Sequence, residues 1–419
     1  MEKFIVNGRK KLSGEIEVKG AKNAALKVLV AALLTDKECF ISNVPQIEDV
    51  LNLIKLIKEI GVDFEELDSG SYKIKAENIA NSYLNKDVAS KLKSSILLSA
   101  PLLARTGEVF LPKPGGCVIG QRPRDIFLDS FEAFGAKIAT EKDGYRVKAK
   151  TLKGTDFVFP IVSVTATETA LLLGVLAKGK TRLINAACEP EVVNLIEFLK
   201  KMGAKIKGEG TPFLEIEGVN KLKGGSLEVM PDRLEAGTFI ILGALANSSI
   251  KVKGVNFSHL AVVWKMLKKV GINLDFKNNS VEVRPGLKLK STNLKTHEYP
   301  GFPTDLQPPF TLLMTQAQGL SLIHETIFEG RLFYTDTLNQ MGAKIVMCDP
   351  HRVLVHGPTK LFGRKLISPD IRAGIALVMA ALIAQGKSVI ENIQQVDRGY
   401  EKIEERLQKI GADIERINL

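Results

Sequence analysis

The chain has 419 residues, 45% of them hydrophobic and 25% charged, proportions that exclude a fibrous or disordered protein. That length exceeds one ordinary hydrophobic core and allows two or more domains. A formal net charge of +11 favours anionic partners, either nucleic acid or phosphorylated small molecules.

Lysines and arginines are spread along the chain, and a single Trp with six Tyr leaves few stacking platforms, so no nucleic-acid partner is expected. Apolar runs such as "AGIALVMAALIAQG" (373–386) fall short of the roughly 20 residues that cross a bilayer, so no membrane insertion is expected. The N-terminal "MEKFIVNGRKKLSG" lacks the apolar centre of a signal peptide, which predicts a cytoplasmic protein. Cys39, Cys117, Cys188 and Cys348 lie far apart, with no C-x-x-C pair and no histidine at metal-ligand spacing. A disulfide framework and a metal centre are therefore not expected.

In chain order the first elements are strands within residues 3–18. A nearly all-apolar helix then turns into a strand, "NAALKVLVAALLTDKECFI". An amphipathic stretch follows and ends in "IGVDF" (60–64). Both elements occur six times in all. The apolar helix and strand return as "KSSILLSAPLLARTGEVFL", "ETALLLGVLAKGKTRLI", "EAGTFIILGALANSSIKV", "PPFTLLMTQAQGLSLI" and "IRAGIALVMAALIAQGKSVI". The glycine phrase returns at Gly135, Gly203, Gly271, Gly342 and Gly411, so the repeat is roughly 70 residues. Each such glycine is predicted to end a surface helix in the left-handed conformation and pass into a strand.

A helix apolar on every side must be buried on every side. The expected architecture is therefore α/β: two similar inside-out domains, each of three repeated units with buried central helices. The strands of residues 3–18 are left over and are expected to complete the sixth unit, bringing the chain ends together. An open solenoid is the competing arrangement, and it rarely needs helices apolar all round.

The residues ahead of the buried helices are polar: "KGAKN" (19–23), "KLKSS" (91–95), "TATET" (165–169), "PDRLEAG" (231–237), "FPTDLQ" (302–307) and "SPDIRAG" (368–374). Thr304, Asp305, Ser368 and Asp370 are N-cap residue types. Capping does not explain Lys22, Arg233 and Arg372, whose charge opposes the helix dipole unless an anion or carboxylate intervenes. The loop "KPGGCVIGQRPRD" (113–125) poses a similar choice. Cys117 is either chemistry in a basic setting or part of an ordinary glycine turn.

These stretches together resemble the UDP-N-acetylglucosamine enolpyruvyl transferase family over essentially the whole chain. The resemblance rests on "GAKNAAL" (20–26), "LPKPGGCVIGQRPRD" (111–125), "NAACEPEVVNL" (185–195), "PDRLEAGTF" (231–239), "GFPTDLQ" (301–307), "ETIFEGR" (325–331), "DIRAG" (370–374) and "DRGYEKIE" (397–404). It implies the enolpyruvyl transferase fold, with an N-terminal domain of residues 20–230 and a C-terminal domain of 1–19 plus 231–419. The active site is expected in the cleft between them. It also implies that the enolpyruvyl group of phosphoenolpyruvate passes to the 3-hydroxyl of UDP-N-acetylglucosamine with release of phosphate, the first committed step of peptidoglycan synthesis. No cofactor or metal is implied, and a monomer is expected.

By the same resemblance Cys117 is the proton donor, on a loop whose glycines would let it close, and the position that fosfomycin alkylates. Neighbouring cations such as Arg122 would favour its thiolate. Asp305 is the base for the sugar hydroxyl, and Lys22 and Arg398 complete the catalytic set. Lys22, Arg122 and Arg398 grip phosphoenolpyruvate, with Arg331 and Arg372 adding charge; guanidinium forks suit carboxylate and phosphate. The substrate-binding set further includes Asn23, Lys93, Pro123, Arg124, Asp125, Ile126, Ser163, Val164, Ile327 and Asp370.

The chain departs from the family pattern at Lys93 for arginine, Phe127 for histidine, Thr165 in "SVTAT", Cys188 before "EPE" and Gly330 before Arg331. Lys93 keeps charge but loses the bidentate fork. These departures bear on the acceptor, and the alternative is the same chemistry with a different phosphorylated or nucleotide acceptor. A shikimate-type enzyme is disfavoured by the Cys117 loop, and a silent or nucleic-acid-binding relative by retention of the whole charged set.

Overall fold

The computed structural model describes residues 2–82, 84, 93–112, 125–286 and 288–418. They form two compact units. One lies within Gly20–Met230, and the other joins the segment ending at Lys19 to the chain from Pro231 onward. Each has its own apolar core.

The six apolar stretches form helices: α1 Lys22–Ala31, α2 Ser99–Thr106, α3 Val164–Gly174, α4 Arg233–Leu245, α5 Gln307–Thr315 and α6 Ile371–Ile383. Helix α5 is buried at every residue, and α4 at all but its last. In the unit that contains them, α4 and α6 both pack on α5. No helix among the described residues is long and apolar enough to cross a membrane.

Amphipathic helices cover the outside. Glu48–Glu59, Pro190–Lys201 and Ala261–Val270 each bury one apolar face. The six repeat glycines all have φ between 86° and 107°. That is the left-handed region, where only glycine sits without strain. At Gly342 a side chain would also place Cβ 2.7 Å from the Lys360 carbonyl oxygen.

Each repeat contributes one small sheet, four-stranded in five cases and three-stranded in the sixth among the described residues. Its usual plan is a parallel pair around a buried helix, extended by an antiparallel hairpin. Lys365–Ile367 and Lys387–Glu391, for example, run parallel with α6 between them.

The N-terminal strands divide in an unexpected way. Lys3–Asn7 inserts between Lys387–Glu391 and Asp413–Ile417, completing the sixth sheet as expected. Gly14–Glu17 does not join it. It pairs parallel with Ile250–Lys253 and completes the fourth sheet. Ser226–Glu228, which precedes α4, instead pairs parallel with Cys39–Ser42 in the first sheet. The first and fourth repeats have thus exchanged their leading strands, which fits a chain that passes between units at Lys19 and again at Met230.

A buried ion pair anchors this N-terminal segment. Arg406 donates to both oxygens of Glu235, at 2.6 and 3.0 Å, and to the Glu17 carbonyl at 2.6 Å. Glu235 also accepts from the Lys19 backbone N–H at 2.8 Å. Such bidentate pairs are the strong form of the charge-assisted bond.

Candidate functional site

In the unit that holds residues 231–419, three segments converge on Asp305. This residue lies in a short turn of helix, Thr304–Leu306, directly ahead of α5. Its carboxylate accepts from Arg372 Nε at 2.9 Å and from Arg331 Nη2 at 3.3 Å. The carboxylate reaches solvent while both guanidinium groups are nearly enclosed. Asp305 is the second residue of that turn and not its N-cap, which is Pro303, although its residue type suits a cap. Thr304 does not cap either: its hydroxyl donates to Glu325 at 2.9 Å.

Asp370 does cap. Its side chain accepts from the backbone N–H of Arg372 and Ala373, at 2.8 and 3.1 Å, which fixes the first turn of α6. Ser368 makes no cap and donates instead to the Asp370 carbonyl. Arg372 Nη1 donates to the Tyr400 hydroxyl at 3.2 Å. Burial works against the Arg372 charge, but Asp305, Tyr400 and Asp232 favour it, and the net shift of its pKa is upward. Arg331 lies over the Phe328 ring, and its Nε and Nη1 are buried with no protein acceptor among the described residues. Arg398 ends the short helix Gln394–Asp397 and donates to Gln395 at 3.0 Å.

Ile327 is held by a residue that the pattern of charges did not single out. Glu325 is fully buried, and its Oε1 accepts from the backbone N–H of Ile327 and Phe328, at 2.8 and 3.2 Å. Its other oxygen takes the Thr304 hydroxyl. Glu325 thus ties the Ile327 turn to the turn that carries Asp305. The signal available was its place at the head of "ETIFEGR".

The unit within Gly20–Met230 holds a second group of expected residues. Lys22 and Asn23 open α1, whose N-cap residue Ala21 offers no side-chain cap. Lys22 is buried against Asp49, Nζ to Oδ2 2.6 Å. The intervening carboxylate that a cation at a helix start requires is thus present, as Asp305 is for Arg372. Arg233, which like Tyr299 belongs to the unit of residues 231–419, sits 5.4 Å above that ring. Ser163 caps α3 through the Ala166 N–H, and Val164 is the first residue of that helix.

Asp125 opens the helix Asp125–Ala133, and Ile126 is buried in the core. Phe127 is buried too and meets Phe131 edge-on at 5.0 Å. Cys188 is half-buried, and burial followed by the Glu189 charge pushes its thiol up, which disfavours a nucleophilic thiolate there. Cys117, Arg122, Pro123 and Arg124, and the side chains of Lys93 and Asp125, lie outside the described residues.

Taken with these positions, likeness to known proteins decides the family. The family model described as EPSP synthase (3-phosphoshikimate 1-carboxyvinyltransferase) matches residues 6–407. A UDP-N-acetylglucosamine 1-carboxyvinyltransferase of Bartonella henselae is 41% identical, with all of both chains covered. One of Helicobacter pylori is 40% identical over 100% of this chain and 99% of its own. The chain belongs to the enolpyruvyl transferases, in their UDP-N-acetylglucosamine 1-carboxyvinyltransferase branch. The fold agrees. The enolpyruvyl transferase NikO from Streptomyces tendae superposes with a TM-score of 0.92 at 24% identity, covering 100% of this chain and 99% of that one. EPSP synthase from Acinetobacter baumannii gives 0.78 at 20% identity, with both chains fully covered.

Proposed function

We infer that this enolpyruvyl transferase moves the enolpyruvyl group of phosphoenolpyruvate to the 3-hydroxyl of UDP-N-acetylglucosamine and releases phosphate, as the first committed step of peptidoglycan synthesis. The observation that carries the reading is identity near 41% along the full chain to proteins named for that acceptor. A different phosphorylated or nucleotide acceptor is not favoured by those names. Phe127, one of the departures from the family pattern, is buried and packs the core.

In this reading Cys117 protonates the methylene carbon of phosphoenolpyruvate while Asp305 takes the proton from the sugar hydroxyl, whose oxygen then bonds to the neighbouring carbon. Loss of a proton from the new methyl group and departure of phosphate restore the carbon–carbon double bond. Lys22, Arg122 and Arg398 hold the phosphoenolpyruvate, with Arg331 and Arg372 adding positive charge. The two buried guanidinium groups beside Asp305 support this assignment, because preorganised cations stabilise a tetrahedral anionic intermediate without reorganising. Asn23, Lys93, Pro123, Arg124, Asp125, Ile126, Ser163, Val164, Ile327 and Asp370 line the path of the nucleotide sugar. The protein works as a cytoplasmic monomer, and fosfomycin alkylates Cys117.

The test is phosphate release from phosphoenolpyruvate with and without UDP-N-acetylglucosamine, for wild type and Cys117→Ala. Release should require the nucleotide sugar and fall at least a hundredfold in the variant. Release independent of the sugar would overturn the reading.

A further inference from the structure

Arg372 is held on two sides by different chemistry. Nε faces the Asp305 carboxylate at 2.9 Å, and Nη1 faces the Tyr400 hydroxyl at 3.2 Å. Among the described residues Nη2 has no hydrogen-bond partner. The Tyr400 ring lies beneath the guanidinium, 5.6 Å from ring centre to Cζ, and the phenol is fully buried.

The direction of the bonds behind Arg372 follows from counting hydrogens. Thr238, on α4, donates its only hydroxyl hydrogen to the Leu234 carbonyl at 2.8 Å, one helical turn back. Its oxygen can then only accept from Tyr400, which lies 3.2 Å away. Tyr400 therefore spends its hydrogen on Thr238 and turns a lone pair toward Arg372, whose guanidinium can only donate. The chain of bonds runs one way, from Arg372 to Tyr400 to Thr238 to the backbone of a buried helix. A hydroxyl free to rotate could not present a lone pair so consistently.

We propose that Tyr400, oriented by Thr238, is a positioning residue that holds the Arg372 guanidinium so that Nε serves Asp305 and Nη2 serves the anionic substrate. The proposal rests on the reading above, in which Arg372 acts on phosphoenolpyruvate. Tyr400 touches no substrate and acts only through Arg372. Its loss should therefore affect phosphoenolpyruvate and spare the nucleotide sugar.

Three variants and two measurements test this. In Tyr400→Phe the ring stays and the acceptor goes, so KM for phosphoenolpyruvate should rise about tenfold, the scale of one charge-assisted hydrogen bond. KM for UDP-N-acetylglucosamine should stay within about twofold. Thr238→Val should shift the same constant in the same direction, and Thr238→Ser should restore it. The independent measurement is 15N NMR of the Arg372 guanidinium, where rotation of the Nη1 group should become at least about ten times faster in Tyr400→Phe. Unchanged rotation would overturn the proposal, as would an equal rise in both KM values. Should wild type release no phosphate with this substrate pair, the functional reading falls, and the NMR result alone still decides whether Tyr400 anchors Arg372.

Discussion

Arg372 donates from Nε to Asp305 Oδ2 at 2.9 Å, although 67 residues separate the two in sequence. The pair joins the starts of two buried helices in neighbouring repeats, and Arg331 closes the group from a third segment. In the proposed reading the Asp305 carboxylate takes the proton of the sugar hydroxyl. Asp305→Asn keeps the shape and removes the charge. It should lower kcat by about 10²–10⁴-fold with little change in circular dichroism. Activity within about tenfold of wild type would mean that another group is the base.

Glu325 accepts from two backbone N–H groups and one hydroxyl while fully buried. Glu325→Ala leaves those donors unpaired and should lower unfolding stability by about 3 kcal/mol. Glu325→Gln retains acceptors and should lose less, yet still loosen the Ile327 turn and raise KM for the nucleotide sugar. Urea unfolding and steady-state kinetics on both variants check this. Equal stability of the two would show that the carboxylate does not pin that turn.

Glu168, inside the other unit, is a different kind of buried carboxyl. Burial pushes it up from 4.5 to about 8; Lys27 pulls it down, and Glu191 and Glu189 raise it further. The Lys27 Nζ stands 3.5 Å away, an ion-pair separation rather than a well-formed hydrogen bond. The folded protein thus binds this proton more tightly than the unfolded chain does. Its contribution to stability is fully present below pH 4.5 and is lost as pH rises to about 8. Glu168→Gln removes the titration, so the melting temperature of the variant relative to wild type should rise steadily between pH 5 and pH 8. Calorimetry across that range is the check, and a difference independent of pH would contradict it.

Arg406 and Glu235 tie the N-terminal segment to the unit that ends the chain. Arg406→Met leaves Glu235 buried without its cation, at a loss of about 3–5 kcal/mol. Urea unfolding would show it, and a loss below about 1 kcal/mol would mean that the pair behaves like an exposed one.

Much of the fold was legible because the repeat is written in periodicity. Helices apolar on all sides and glycines at a spacing near 70 residues predict buried cores and left-handed helix ends, and all six glycines adopt that conformation. Strand exchange was not legible. Gly14–Glu17 and Ser226–Glu228 are short and alternate weakly, so their partners follow from where the chain passes between units rather than from their residues.

At the site, residue type misled for Thr304 and Asp305, which look like helix caps but satisfy Glu325 and two arginines instead. Asp370 is the residue for which the cap reading held. The bonds that link Arg372, Tyr400 and Thr238 were not legible, because a hydrogen-bond chain between repeats exists only after packing. Lys22 was picked out as a cation at a helix start, and it is its partner Asp49, on the next helix, that sequence reasoning left unnamed.

The central claim concerns the bond that is made. Wild-type protein should be incubated with phosphoenolpyruvate and UDP-N-acetylglucosamine, and the nucleotide sugar examined by mass spectrometry and NMR. The account predicts a sugar carrying one enolpyruvyl ether on its 3-oxygen, with one phosphate released for each. Phosphate release with the sugar unchanged, or an enolpyruvyl group only on another acceptor, would contradict it.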